Sequence, residues 1–223
     1  MGELTASIAH EVNQPLAAAL ANAEACLLWL DRETPNLDAA RRSIELIIKD
    51  CGRAGAVIQR IRALARRTDI QKTPLHLNEV VAEVIPLLQR EMFDHRVSLR
   101  TDLAPDLPAI VGDRIQLQQV IVNLMLNGME AMQSIADRPR ELTIRSRRDG
   151  ALQVQLTVTD CGVGISADSA ERLFSPFFTT KSSGMGMGLS ISRSIIEAHG
   201  GRLWAEPNEP QGAIFQFTMP ACL

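Results

Sequence analysis

Two long runs of apolar residues at three-and-four spacing fill positions 1–70, and neither can bury its stripe inside a globule of its own. The first carries Ile8, Val12, Leu16, Ala19, Leu20, Ala23, Leu27 and Leu30, the pattern of one face of an amphipathic helix. Asp31 to Asn36 breaks it. After Pro35 a second run carries Leu37, Ile44, Ile47, Ile48, Cys51, Val57, Ile58, Ile61 and Leu64 in one register. An antiparallel hairpin striped on both arms covers itself best against a second copy, so a dimeric four-helix bundle, and hence a homodimer, is expected.

After Thr73-Pro74 the texture changes to helices alternating with β-rich stretches. Helices are expected over Asn78–Glu91 and Asp113–Met132, with strands over Val97–Asp102, Glu141–Arg148, Gln153–Asp160, Arg202–Glu206 and Ala213–Met219. The fold class is therefore α+β: a helical hairpin over 1–70, then an α/β sandwich over 71–223. A flexible joint is expected near Thr68 to Pro74.

A formal net charge of -3 gives no support for nucleic-acid binding, and the cluster Arg60, Arg62, Arg66 and Arg67 reads as the solvated face of a helix. Cys26, Cys51, Cys161 and Cys222 lie far apart, with no CxxC pair, so neither a zinc site nor a disulfide framework is expected. Asn22 and Glu24 interrupt the best apolar stretch, Asn123 and Asn127 the next, so no membrane contact is expected. No signal peptide is expected. The default location is the cytoplasm. Because the first motif begins almost at Met1, a fragment of a longer protein is expected, and any membrane anchor would belong to that parent.

On the polar side of the first helix, His10 and Glu11 stand together. Neutral imidazole is the side chain best able to attack phosphorus near pH 7. Glu11 could accept the proton of one ring nitrogen while the other bonds to phosphorus. Gln14, one turn on, could orient a water, and Pro15 lacks the amide that would bond the carbonyl of Glu11, so a bend is expected there. His76, His95 and His199 have no such surroundings and read as ordinary helical or loop histidines.

The segment from Glu3 to Leu16 resembles the H box of sensor histidine kinases, in the Asn13-Gln14-Pro15 form found in oxygen, nitrogen and dicarboxylate sensors. The resemblance implies that His10 is the phosphoacceptor and Glu11 its polarising partner. Where Gln14 stands, many relatives carry the Thr or Asn that supports dephosphorylation of the regulator.

In the run Gln116–Ala131 two asparagines, Asn123 and Asn127, fall one turn apart on one face. Neutral amides suit a magnesium ion already neutralised by phosphates, which commonly takes only one or two protein ligands. The run resembles the N box of the same kinases and of the wider gyrase, mismatch-repair and heat-shock ATPase superfamily. That implies magnesium ligation by Asn127 with Asn123 beside it, and nucleotide contacts extending to Glu130 and Ala131. Hydrolytic members carry a glutamate where Asn123 stands, and an amide cannot serve as that base, so transfer should outrun hydrolysis.

Asp160-Cys-Gly162-Val-Gly164-Ile165 follows a predicted strand, where glycines let backbone approach a flat ligand and a buried carboxylate can accept from an exocyclic amine. Further on, Phe174 to Lys181 leads to Gly184-Met185-Gly186-Met187-Gly188-Leu189, which opens a helix reaching about His199. A helix N-terminus behind such glycines is a ready phosphate site, and Lys181 adds a cation. The spacing is GxGxG, and no GxxxxGK[ST] is present, so Rossmann and P-loop readings both fail.

These segments resemble the first glycine box, the F box and the second glycine box of the kinases, with Phe178 and Thr180 in the lid. The resemblance spans Glu3 to Pro220, with four motifs in family order when the F box and second glycine box are taken as one. It implies binding of ATP and Mg2+, adenine selection by Asp160, phosphorylation of His10 and transfer to an aspartate of a response regulator. Ala17, Ala18 and Asn22, below His10, are the candidates for contacting that regulator. Whether His10 of the same chain or of the partner is reached depends on the turn around Asp31 to Asn36. A plain ATPase is disfavoured by Asn123 and the His10 segment, and a non-catalytic scaffold by the retained Asn127, Asp160 and lid glycines.

Overall fold

The computed structural model describes residues 2–48, 50–51, 71–150, 152–166, 172–176, 178–179 and 186–222, the side chains of 2–13 excepted. The later half of the second apolar run, from Val57 to Leu64, and the arginines at 60, 62, 66 and 67 lie outside the described residues. The chain divides into two compact units, Met1–Thr68 and Asp69–Leu223.

In the first unit α1 (Gly2–Leu30) runs unbroken through Pro15, and α2 is helical over 37–48 and 50–51. Asn36 starts α2, its Oδ1 accepting the Ala39 N–H at 3.0 Å, which satisfies one of the donors a helix start leaves open. The arms are antiparallel. Cys26 Sγ lies 3.5 Å from Ala40 O and Asn22 Nδ2 3.5 Å from Asp50 Oδ2, so pairs farther from the turn are more widely separated in sequence. Small residues, Ala19, Cys26, Ala39, Ala40 and Ser43, fill the seam between the arms. The large ones, Leu16, Leu20, Leu27, Leu37, Ile44 and Ile48, are left exposed.

The second unit contains β1 (Thr73–Leu75), α3 (Leu77–Leu87), α4 (Gln89–Asp94), β2 (Val97–Leu103), β3 (Ile110–Gly112), α5 (Arg114–Ala131), β4 (Arg140–Asp149) and β5 (Gln153–Asp160). A 3-10 turn (Arg172–Phe174), α6 (Gly188–Ala198), β6 (Arg202–Pro207) and β7 (Ala213–Pro220) follow. Five strands form one sheet in the order β2-β4-β5-β7-β6, parallel only between β2 and β4. Alternation sends Leu142 and Ile144 of β4, Val154, Leu156 and Val158 of β5, and Phe215, Phe217 and Met219 of β7 into the core. There they meet Val80, Val81 and Val84 of α3 and Leu117, Ile121, Leu124 and Met125 of α5.

Two expectations need correction. The single helix expected over Asn78–Glu91 is two helices broken at Leu88, whose N–H donates to Ile85 O at 3.2 Å in a tightened turn. Leu88 itself leaves helical dihedrals, at φ -107° and ψ 6°, and Pro86 just before it offers no N–H to Ala82 O, which weakens the last turn. The joint expected near Thr68 to Pro74 does not extend to its far end. Thr73 and Pro74 belong to β1, paired antiparallel with Gly112 and Val111 of β3. Just before it, Lys72 Nζ donates to Ala198 O at the end of α6, 2.7 Å away.

His199 is buried and fully used. Its Nε2 accepts the Asp113 N–H at 2.9 Å, which requires that nitrogen to be unprotonated, and Nδ1 therefore donates to Ile195 O at 2.7 Å. The ring ties the end of α6 to the Asp113 cap of α5. Replacing His199 with Phe keeps the volume and strands both backbone partners, so a loss of about 2 kcal/mol is expected, read as a fall in melting temperature of roughly 6 °C.

Candidate functional site

The period of β5 places one polar group in an apolar row. Val154, Leu156 and Val158 point into the core, so Asp160, two further on, must point there too, and it is 2% exposed. A carboxylate so placed is costly unless hydrogen-bonded. Its Oδ1 accepts the Gly162 N–H at 2.8 Å and the Ala213 N–H at 3.2 Å. Its backbone carbonyl accepts Asn208 Nδ2–H at 3.0 Å.

Helix α5 runs alongside. Asp113 Oδ1 caps it by accepting from Ile115 and Gln116 N–H, at 3.0 and 3.1 Å. Its apolar face, Leu117, Val120, Ile121, Leu124, Met125 and Met129, is buried, which leaves Asn123 and Asn127 half-buried on the neighbouring face and Glu130 exposed beyond them. Glycine lets this helix approach the sheet: a Cβ on Gly128 would lie 2.7 Å from Leu142 Cδ1 and 3.3 Å from Asp160 Cβ. The turn after Asp160 packs equally close. A Cβ on Gly162 would lie 2.6 Å from Ala131 O, and Val163 N–H donates to that same oxygen at 3.1 Å. Gly164, at φ 81°, abuts Gly212, and Ile165 packs on the core.

From the other side comes the start of α6. Asn123 Nδ2 donates to Ser192 Oγ at 3.0 Å, and a Cβ on Gly188 would collide with the Asn123 side chain. Gly188→Ala should therefore push Asn123 off Ser192. Overpacking of this kind costs about 1–3 kcal/mol, measurable in thermal melts. Gly186 has φ 63°, Leu189 packs on the core, and Met187 is buried with its carbonyl accepting Ile191 N–H and Ser190 Oγ–H. Phe178 is half-buried with the Arg172 guanidinium 4.9 Å from its ring centre, and Phe174 is buried under Arg193 at 4.0 Å. Thr180, Lys181, Gly184 and Met185 lie outside the described residues.

The structure thus groups Asn123, Ala131, Asp160, Gly162 and Gly188 around one end of the sheet, with Asn127 beside Gly128 on the same helix. His10, Glu11 and Gln14 belong to the first unit, on α1; the side chains of His10 and Glu11 are outside the description, and Gln14 is exposed. Of the residues placed below them, Ala17 is exposed, Ala18 half-buried, and Asn22 is turned inward to Ala18 O at 3.0 Å and to Asp50. Sequence reasoning missed Asn208, Gly212, Ala213 and Ser192. The first three reach Asp160 across 48 to 53 residues, and no local spacing announces such a contact. Among the described residues no group of three or more His, Cys, Asp or Glu could hold a metal ion, and no helix is long and apolar enough to cross a membrane.

Two family models match the chain: the His Kinase A (phospho-acceptor) domain over residues 1–70, and the histidine kinase-, DNA gyrase B- and HSP90-like ATPase over residues 112–222. The C4-dicarboxylate transport sensor protein DctS of Rhodobacter capsulatus is 42% identical over 99% of this chain and 33% of its own length. Sensor protein FixL of Bradyrhizobium diazoefficiens is 40% identical over 99% of this chain and 44% of its own. Sensor histidine kinase TmoS of Ectopseudomonas mendocina is 38% identical over 99% and 23%. The chain therefore spans less than half the length of these curated relatives. Among solved structures, the catalytic domain of histidine kinase ThkA matches 67% of this chain and 95% of its own at 34% identity and TM-score 0.60. ThkA in complex with response regulator protein TrrA matches 99% of this chain and 62% of its own at 28% identity and TM-score 0.76.

Proposed function

Because the chain belongs to the sensor histidine kinases, we propose that it binds Mg-ATP in its second unit, phosphorylates His10 in its first, and passes the phosphoryl group to an aspartate of a response regulator in the cytoplasm. Residues 1–70 are then the dimerization and phosphoacceptor domain and 71–223 the catalytic domain. The observation that carries this reading is Asp160: a carboxylate buried in an apolar row, its orientation fixed by two N–H donors, at the rim shared by α5 and the start of α6.

In this reading Asp160 accepts from the adenine amino group, and the glycine turn from Gly162 to Ile165 lies against the base. The start of α6 at Gly188, with Gly184, Gly186 and Lys181 before it, takes the phosphates through backbone N–H groups and the positive end of the helix dipole. The donor set on α5 fits magnesium: two half-buried neutral amides, Asn127 as ligand and Asn123 beside it, suited to an ion that brings phosphates and water as its other ligands. That ion would neutralise charge on the phosphate oxygens. Asn123 Nδ2 is already committed to Ser192, which favours its amide oxygen facing the ligand, and no acid stands there to activate water for hydrolysis. Imidazole attack at His10, with Glu11 holding the proton of the other ring nitrogen, needs positioning more than covalent help.

Incubation with γ-labelled ATP tests the whole reading. Acid-labile label on the protein, lost on adding EDTA and chased onto a receiver domain, is the expected result. Steady release of phosphate with no label on the protein would favour a plain ATPase. The regulator as partner has support in the ThkA structure, which is a complex with response regulator protein TrrA.

The homodimer follows from the hairpin. Its seam buries Ala19, Cys26, Ala39, Ala40, Ser43 and Asp50 among the described residues, while Leu16, Leu20 and Leu27 of α1 and Ile44 and Ile48 of α2 stay exposed. Large apolar side chains left exposed in this way mark an interface, and a second hairpin covers them. Leu27→Glu combined with Ile48→Glu should convert the protein to a monomer in sedimentation equilibrium; an unchanged mass would remove this interface.

A further inference from the structure

We propose that Asn208, in the loop between β6 and β7, is a positioning residue that fixes the purine-selecting carboxylate of Asp160. The inference rests on the adenine reading of Asp160 and adds the group that holds it. Asn208 is half-buried and anchors twice. Its backbone N–H donates to Gly212 O at 3.0 Å, closing the loop on itself, and its Nδ2 donates to Asp160 O at 3.0 Å, with Gln211 O 3.5 Å away. Gly212, at φ 123°, lies so close over the Asp160 carbonyl that a Cβ there would overlap it. The next N–H along, from Ala213, is one of the two donors that orient Oδ1.

One amide side chain thus sets the distance between the loop and the end of β5, and through it the Ala213 N–H that aims the carboxylate. Asn208 and Gly212 touch Asp160 from its backbone side, so the effect of Asn208 on a purine is exerted through Asp160. Two variants separate positioning from bulk. Asn208→Ala removes the donor. Asn208→Asp keeps the shape and turns an oxygen toward the carbonyls of Asp160 and Gln211.

Calorimetric titration of the full chain with Mg-ATP and with Mg-GTP reads the outcome, because stoichiometry reports the folded fraction while Kd reports the site. The expected result is an ATP Kd raised roughly three- to tenfold in Asn208→Ala and further in Asn208→Asp, with the ATP-over-GTP preference reduced in both. A merely structural role would lower stoichiometry and melting temperature with the preference intact. Unchanged Kd and preference in both variants, with wild type binding ATP and Asp160→Asn failing to, overturns the inference and leaves the adenine reading standing. Wild type that binds neither nucleotide overturns both.

Discussion

Protein carrying His10→Gln should take up no acid-labile phosphate from γ-labelled ATP while binding ATP as the wild type does. Glutamine keeps a polar side chain on α1 and supports the helix, but its amide has no basic nitrogen to offer phosphorus. The proposed nucleotide site, with Asn123, Ala131, Asp160 and Gly188, belongs to the other compact unit. Labelling and binding should therefore separate completely. Filter retention after alkaline and acid washes measures the first and calorimetry the second. Label persisting on the variant would move the phosphoacceptor elsewhere in the chain.

Asp160→Asn should produce the second largest effect, and an informative one. The buried Oδ1 receives two N–H donors, from Gly162 and Ala213, and only an oxygen can accept both. In the variant the amide must turn its oxygen to them and its NH2 group toward the purine. Adenine presents an amino group there, so donor meets donor and ATP affinity should fall roughly 10- to 100-fold, the usual cost of losing a hydrogen bond to a charged acceptor. Guanine presents a carbonyl oxygen at the same ring position. The ratio of ATP to GTP affinity should therefore fall by more than the affinity for GTP itself, and competition titrations would show it.

Much of this fold could be read from the chain because its two periodicities are clean. Strands β2 and β4 to β7 and helix α5 lie within a residue or two of where the pattern of the sequence puts them, as does α6 after the glycines that open it. Where pattern was short or ambiguous the reading failed. Strands β1 and β3 have three residues each, too few to show a period, and they exist because Leu75 and Ile110 are buried by the same core. The break at Leu88 went unseen although Pro86 stood in the sequence, since a proline can also sit inside a helix, as Pro15 does in α1.

The same division runs through the candidate site. Asp160 and the glycines after it form a local pattern, as do the paired amides of α5, and the family resemblance rests on these. Their neighbours form no such pattern. Asn208, Gly212 and Ala213 meet Asp160 only because β5 and β7 are hydrogen-bonded partners and the β6–β7 loop folds back over the end of β5. Ser192 meets Asn123 across 69 residues because α5 and α6 pack on the same face of the sheet. Such contacts follow from strand order, which spacing along the chain does not specify. His199 looked unremarkable in sequence, and its role as the bridge between α6 and the α5 cap emerges only from its two ring nitrogens.

The phosphoryl transfer itself can be observed at one atom. Wild-type protein incubated with magnesium and ATP, quenched at alkaline pH and digested, should give a peptide containing His10 that carries one phosphoryl group on an imidazole nitrogen, identified by tandem mass spectrometry. An unmodified His10 peptide, in protein shown to bind the nucleotide, would contradict the proposal outright.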